Sequence, residues 1–143
     1  MSLDGCTFRY PLTVYYEDTD FSGLVYHANY LRFFERARTH AMIEKQVDLK
    51  RLYHNLGWHF VLSSLSVTYK KPAQFLDRLC VVSETRLRGR TQIDWHQRLV
   101  DPQDDALYCA MDAHLILVDD KMRPKRLPSL DDLRHAIDSS SRA

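Results

Sequence analysis

Residues 15–30 read Tyr15-Tyr16-Glu17-Asp18-Thr19-Asp20-Phe21-Ser22-Gly23-Leu24-Val25-Tyr26-His27-Ala28-Asn29-Tyr30 and lead directly into a segment with helical periodicity. This short stretch contains acidic side chains, a glycine, a histidine and the start of a helix. A helix N-terminus has unpaired backbone N–H groups and a partial positive charge. The stretch therefore predicts a carboxylate beside the positive end of a buried helix, where it could attack a polarised carbonyl group.

The helical segment runs from about residue 28 to residue 45. Its apolar side chains recur every three or four residues and form one wide face, made of Tyr30, Phe33, Phe34, Ala37 and Ala41. The aromatic residues on this face predict deep burial against a sheet. This is the only predicted element large enough to cover the apolar face of a sheet.

Alternating or apolar runs predict five strands, at residues 12–16, 58–69, 79–87, 92–100 and 107–118. Residues 1–8 show no such pattern and predict a loose arm. Pro11 suits the start of the first strand better than its middle, because proline has no N–H for the hydrogen-bond ladder. Short helices are predicted at residues 48–55 and 130–137.

The order of these elements is strand, long helix, short helix and four strands. Sequential strands joined by short turns imply an antiparallel meander. The sequence thus predicts an α+β architecture, one domain over residues 1–143, in which an antiparallel five-stranded sheet wraps around one long central helix.

The composition excludes several classes of protein. The chain has 143 residues and a formal net charge of +1, which gives no overall reason to expect nucleic-acid binding. No apolar run approaches the ~20 residues of a membrane span, and the first residues lack the features of a signal peptide. Cys6, Cys80 and Cys109 are widely separated and predict free thiols. We therefore expect a cytoplasmic protein.

The motif Tyr-Tyr-Glu-Asp-Thr-Asp-x-x-Gly-x-Val-Tyr-His-x-x-Tyr, followed by Phe34-Glu35-Arg36-Ala37-Arg38, resembles the hotdog-fold acyl-CoA thioesterases. It is most similar to the Tol–Pal-associated subgroup of the 4-hydroxybenzoyl-CoA thioesterase family. Weaker similarity covers Val67-Thr68-Tyr69-x-x-Pro72-Ala73 and residues 122–128. The resemblance implies a hotdog fold and the hydrolysis of acyl-CoA thioesters to a free carboxylic acid and coenzyme A.

The resemblance also implies catalytic roles for Asp20, His27 and Tyr16. Asp20 would act as nucleophile or general base, although an aspartate before a helix is often only a turn or cap residue. The His27 amide would donate to the oxyanion, and its side chain would position the carbonyl or water or protonate the leaving thiolate. Tyr16 would face Asp20 from a strand end; an ordinary strand aromatic is the alternative.

Substrate-binding roles follow for Gly23 and Val25 in the same motif and for Arg88 and Arg90. The two arginines flank a predicted hairpin and are favoured over other basic residues as partners of the coenzyme A phosphates. The subgroup carries two small residues at the positions of Phe21 and Ser22, so the bulky Phe21 predicts a narrowed or reshaped acyl pocket. No metal site and no cofactor are expected, because coenzyme A is part of the substrate.

Two other functions stay open at this point. One is a hydratase or dehydratase of acyl thioesters, and the other is a non-catalytic module that binds acyl carrier protein or envelope-assembly machinery. Acyl carrier protein is also a candidate carrier of the substrate. Because a single small sheet leaves open edges, we expect a homodimer or a dimer of dimers (a homotetramer) with sites built from two chains.

Overall fold

The computed structural model of the chain describes residues 2–140. Its elements are β1 (Thr7–Thr13), a 3₁₀ turn (Tyr16–Asp18), α1 (Asn29–Glu44), α2 (Leu49–Arg51), a π-helical turn (Leu52–Leu56), β2 (His59–Tyr69), β3 (Arg78–Arg88), β4 (Gln92–Val100), β5 (Leu107–Val118) and α3 (Leu130–Ser139). The five strands form one antiparallel sheet in the order β1-β3-β4-β5-β2. The predicted α+β fold with a five-stranded antiparallel sheet and a long helix is confirmed.

The helix α1 supplies the core of the molecule. All five residues of its predicted apolar face are buried: Tyr30, Phe33, Phe34, Ala37 and Ala41. They belong to the same apolar cluster as the inward-facing residues of the sheet, which include Ile93, Trp95 and Met111. Burial of one large apolar side chain stabilises a fold by about 1.5–3 kcal/mol, so this face holds the helix on the sheet.

One buried polar link also joins α1 to the sheet. Gln97 of β4 is fully buried and donates to the Phe34 carbonyl at 2.9 Å and to Ser83 Oγ at 3.0 Å. Its Oε1 accepts a bond of 2.9 Å from Arg38 of α1. Because a buried amide is costly unless paired, these bonds fix how the helix lies across the sheet.

The prediction for the first strand was wrong. The strand spans Thr7–Thr13, within a stretch partly predicted to be a loose arm, and Tyr16 lies in a 3₁₀ turn. Pro11 therefore stands inside the strand, opposite Cys80 of β3. This is tolerated because β1 is an edge strand, so only one of its sides must pair.

Candidate active site

The acidic loop, residues 18–28, makes a tight turn before α1. The Asp20 N–H donates to the Leu24 carbonyl at 2.8 Å, and the Gly23 N–H donates to the Asp20 carbonyl at 3.1 Å. Gly23 has a φ of +80°, a left-handed conformation that glycine adopts without strain, and a Cβ there would meet no atom within 4 Å. The turn thus needs glycine for its backbone angle and not for lack of space.

Asp18 braces this loop from below. It is buried, its Oδ2 accepts the Tyr15 N–H at 2.9 Å, and its carbonyl accepts Asn29 Nδ2 at 2.9 Å and the Tyr26 N–H at 3.2 Å. Through its side chain and its carbonyl together, Asp18 therefore organises the chain on both sides of Asp20. Its role is structural.

Asp20 is the exposed carboxylate of the loop. Its Oδ1 accepts two bonds from Ser22, at 2.8 Å from the N–H and at 2.5 Å from Oγ. These two bonds, the hydroxyl bond first, lower the pKa of Asp20 below its ordinary value and outweigh the opposing effect of partial desolvation. The carboxyl group is therefore ionised at neutral pH, the form that a nucleophile or general base requires.

His27 lies two residues before α1. The His27 carbonyl accepts a bond of 2.8 Å from the Tyr69 hydroxyl, and its ring packs 4.4 Å from the Tyr26 ring. Within residues 2–140, the His27 N–H has no hydrogen-bond acceptor. Ala28, at the N-cap of α1, makes no side-chain cap bond. The backbone here can donate to a ligand oxygen.

A segment after β2 holds the loop from the other side. The Val25 N–H donates to the Ala73 carbonyl at 2.9 Å, and the Phe75 N–H donates to the Gly23 carbonyl at 3.3 Å. The Ala73 N–H donates in turn to the Tyr30 hydroxyl at 3.0 Å. Val25 itself is buried, so its side chain forms part of the floor beneath the loop.

Tyr16 and Phe21 are both exposed on the surface. The Tyr16 ring meets Phe75 edge to face at 6.1 Å, and none of its contacts within residues 2–140 is with Asp20. The reason is that β1 ends at Thr13, which leaves Tyr16 in the turn and not at a strand end. Phe21 is completely exposed and does not line the apolar cavity between α1 and β2 that is described below.

The two predicted arginines lie far from Asp20 within one protomer. Arg78, at the start of β3, is next to Asp77 and the segment that holds the acidic loop, whereas Arg88 is ten residues further along the strand. At ~3.3 Å per residue, ten residues of strand place Arg88 about 33 Å from Arg78. Arg88 forms an ion pair with Asp94 at 2.8 Å, and the Arg90 carbonyl accepts the Leu127 N–H at 2.7 Å.

A cavity of about 290 Å³ lies between the second half of α1 and the first half of β2. Apolar side chains form most of its wall, among them Met42, Phe60, Ile93 and Trp95. Glu35 and Arg38 of α1 also line it. Burial lowers the pKa of Arg38, and the Glu35 charge partly offsets this.

Sequence reasoning did not identify Ser22, Asn29 and Tyr69 as parts of this arrangement. Ser22 and Asn29 stand inside the quoted motif, but their bonds depend on how the loop folds back on itself. Tyr69 is 42 residues from His27 in sequence, and only the position of β2 brings them together. Among the described residues, no cluster of three or more His, Cys, Asp or Glu side chains could hold a metal ion. None of the described helices is long and apolar enough to cross a membrane.

The chain is similar in sequence to known thioesterases. The sequence profile of the thioesterase-like superfamily matches residues 14–137. The acyl-CoA thioester hydrolase YbgC of Escherichia coli is 39% identical over 123 residues, covering 85% of this chain and 90% of that protein.

Solved structures with the same fold include a probable thioesterase from Bartonella henselae, with a TM-score of 0.79 and 25% identity over 86% of this chain and all of that one. A 1,4-dihydroxy-2-naphthoyl-CoA thioesterase from Synechocystis has a TM-score of 0.81 and 20% identity, covering 94% of this chain and 97% of that one. The second similarity supports the fold alone. Together these structures confirm the predicted hotdog architecture.

Proposed function

The chain belongs to the thioesterase-like superfamily, and we propose on that basis that it hydrolyses acyl-CoA thioesters with Asp20 as the reacting carboxylate. The observation that carries the proposal is the loop geometry. It presents an ionised, exposed carboxylate a few residues before helix α1. At the entry of this helix the His27 N–H has no acceptor in the part of the chain that the structure describes. Thioester hydrolysis needs both groups, a base or nucleophile and a donor for the carbonyl oxygen.

Two routes use these groups. In the nucleophilic route, an Asp20 oxygen attacks the thioester carbon, coenzyme A leaves as the thiolate, and water hydrolyses the mixed anhydride to the acid and free Asp20. In the general-base route, Asp20 takes a proton from water as the water attacks the carbon, and the leaving thiolate is then protonated. His27 supplies its amide to the oxyanion, a contact worth about 3–4 kcal/mol in comparable sites. Its imidazole is the candidate donor to the thiolate.

We further propose a homodimer that joins two β2 edges. Among the described residues, β2 pairs only with β5, and it has no proline over its eleven residues and exposes Leu62, Leu65 and Tyr69. The other edge, β1, is interrupted by Pro11. An unprotected edge strand with exposed apolar side chains is a template for pairing. Three further expectations stay predictions: a dimer of dimers, acyl carrier protein as carrier of the acyl group, and a cytoplasmic protein in the Tol–Pal setting.

This dimer would complete the active site. Within one protomer, Tyr69 at the end of β2 contacts the acidic loop, and His59 at its start lines the cavity. Two-fold antiparallel pairing about the middle of β2 brings the start of one strand beside the end of the other. The cavity of one protomer would then receive the acyl group of a thioester held at Asp20 of its partner, and Arg88 and Arg90 would serve the partner's substrate.

A thiol-release assay over acetyl-, butyryl-, malonyl-, octanoyl-, palmitoyl-, benzoyl- and 4-hydroxybenzoyl-CoA tests the function. We expect release by the wild type and a loss of ~10²-fold or more in Asp20→Asn, as for other carboxylate bases or nucleophiles. Glu17→Gln is the matched control, because Glu17 is an exposed carboxylate of the same loop region and should retain turnover. Equal rates for wild type and Asp20→Asn would refute the mechanism, and no release from any substrate would favour a binding module.

A further inference from the structure

Ser22 is the residue that contacts the Asp20 carboxylate most directly. Both of its bonds go to the same oxygen, Oδ1, at 2.8 Å from the N–H and 2.5 Å from Oγ. Within the described residues, Oδ2 of Asp20 accepts no hydrogen bond. The two carboxylate oxygens thus have different environments, one with two donors and one facing open space.

We propose that the Ser22 hydroxyl is a positioning residue for hydrolysis, which fixes the Asp20 carboxylate so that Oδ2 faces the thioester or the attacking water. This inference rests on the proposed function, in which Asp20 is the reacting carboxylate. A carboxylate on an exposed loop is otherwise free to rotate about its side-chain bonds. Two donors on one oxygen restrict that rotation, and positioning of a reacting group contributes directly to rate.

The backbone bond alone would not achieve this. An N–H donor two residues after an aspartate occurs in ordinary turns and leaves the carboxylate able to exchange its oxygens. The Ser22 hydroxyl adds a second, charge-assisted bond from another direction, and such bonds are about twice as strong as neutral ones.

The same bonds set the proton affinity of the site. Donors stabilise the ionised carboxylate, which is why the pKa of Asp20 lies below its ordinary value, with the Ser22 hydroxyl as the largest cause. Removal of the hydroxyl should raise this pKa. Because the reaction needs ionised Asp20, the acid limb of the pH profile should then move to higher pH.

The test compares Ser22→Ala, Ser22→Thr and Thr19→Ala with the wild type on an acyl-CoA that the wild type hydrolyses. For Ser22→Ala we expect kcat to fall about 10- to 100-fold, the loss typical of one hydrogen bond to a charged group, with KM little changed. The acid limb of kcat/KM should move to higher pH. Ser22→Thr keeps a hydroxyl and should restore both values. Thr19→Ala removes a loop hydroxyl that donates to the Tyr16 carbonyl and not to Asp20 within the described residues, so it should not move the acid limb.

A second measurement separates failure of this inference from failure of the proposed function. A carboxyl-carbon NMR titration follows the Asp20 pKa whether or not the protein turns over, and it should rise in Ser22→Ala. In the Asp20→Asn background, Ser22→Ala should cause no further loss of rate. An unchanged Asp20 titration and an unchanged acid limb in Ser22→Ala would overturn the inference while the activity itself stands. Full activity of Asp20→Asn would overturn both.

Discussion

Hydrogen bonds from neighbouring residues hold the two aspartates of the acidic loop, and they do so differently at Asp18 and at Asp20. Asp18 and Asp20 are two positions apart and have the same side chain, yet one is buried as a brace and the other is exposed with a lowered pKa. The difference arises from the hydrogen bonds around each carboxylate, since Asp18 accepts a backbone N–H inside the fold and Asp20 accepts its donors at the surface.

Gly23 provides a direct test of this local geometry. Alanine at a φ of +80° costs about 1–2 kcal/mol, and the strain would be relieved by distortion of the turn that presents Asp20. We therefore expect Gly23→Ala to lower both the stability and the kcat. Stability is measured by urea unfolding and kcat by thiol release.

Gly5→Ala is the control for this variant. Gly5 has a φ of +66° and equally open space, but it lies near the N-terminus and bonds Thr85 of β3. It should lose similar stability and keep its kcat. An equal loss of kcat in both variants would mean that stability alone limits the rate and that the turn has no special role.

At the scale of single residues, roles set by the local backbone could be predicted from the sequence, and contacts that depend on the folded loop could not. The roles of Asp18 as a brace and of Gly23 as a turn residue follow from local backbone preferences, which the order of residues determines. The bonds from Ser22 to one particular oxygen of Asp20 depend on the closed form of the loop. The exposed positions of Tyr16 and Phe21 depend on where β1 ends.

The strands and helices were predicted well where a pattern is repeated. The strands β2 to β5 and the helix α1 lie within one residue of their predicted bounds, because each has a long periodic run. The first strand was misplaced because Pro11 indicated its start, although Phe8, Tyr10 and Leu12 alternate across the proline. Its pairing with β3 shows that the strand begins at Thr7. Edge position is a property of the sheet, which local sequence does not encode.

The turn after β5 supports a prediction about stability and pH. Asp119 is buried, and burial opposes its ionisation, but its bonds from the Lys121 and Arg123 N–H groups and from the Arg123 side chain outweigh this and lower its pKa to about 2. A carboxyl group with a lowered pKa contributes stability above its unfolded pKa, and that contribution is lost as the pH falls through the folded value.

We therefore expect Asp119→Asn to lower the melting temperature at pH 7. The difference from the wild type should shrink between about pH 4, the unfolded value of an aspartate, and about pH 2. Thermal unfolding followed by circular dichroism across this range measures it. Asp131→Asn, an exposed aspartate of α3, is the comparison, and a difference for Asp119→Asn that stays constant with pH would argue against the lowered pKa.

The whole molecule places its two candidate substrate-binding features at opposite ends. The acidic loop lies at the Tyr69 end of β2, and the cavity lies at the His59 end. Within the described residues, the apolar cavity therefore does not adjoin Asp20, the proposed reacting carboxylate. Pairing of two β2 edges would bring the acidic loop of one protomer to the cavity of the other. Two different defective chains could then restore activity in a mixed dimer, which a site within one chain would not allow.

Mixed dimers of two defective proteins test this arrangement. Asp20→Asn removes the carboxylate, and Thr39→Trp places a bulky ring at the exposed residue Thr39 that lines the cavity, so each protein alone should be nearly inactive. If the site forms in trans, a mixed dimer has one complete site, with Asp20 from the Thr39→Trp chain and the open cavity from the Asp20→Asn chain. After the two are unfolded and refolded together, about a quarter of wild-type activity should return, because half of the dimers are mixed and each has one working site.

Light scattering confirms that dimers have formed. A site within one chain would leave every mixed dimer inactive, since one chain lacks the carboxylate and the other lacks the cavity, so the absence of recovery in dimeric protein would refute pairing through β2 as the basis of the site.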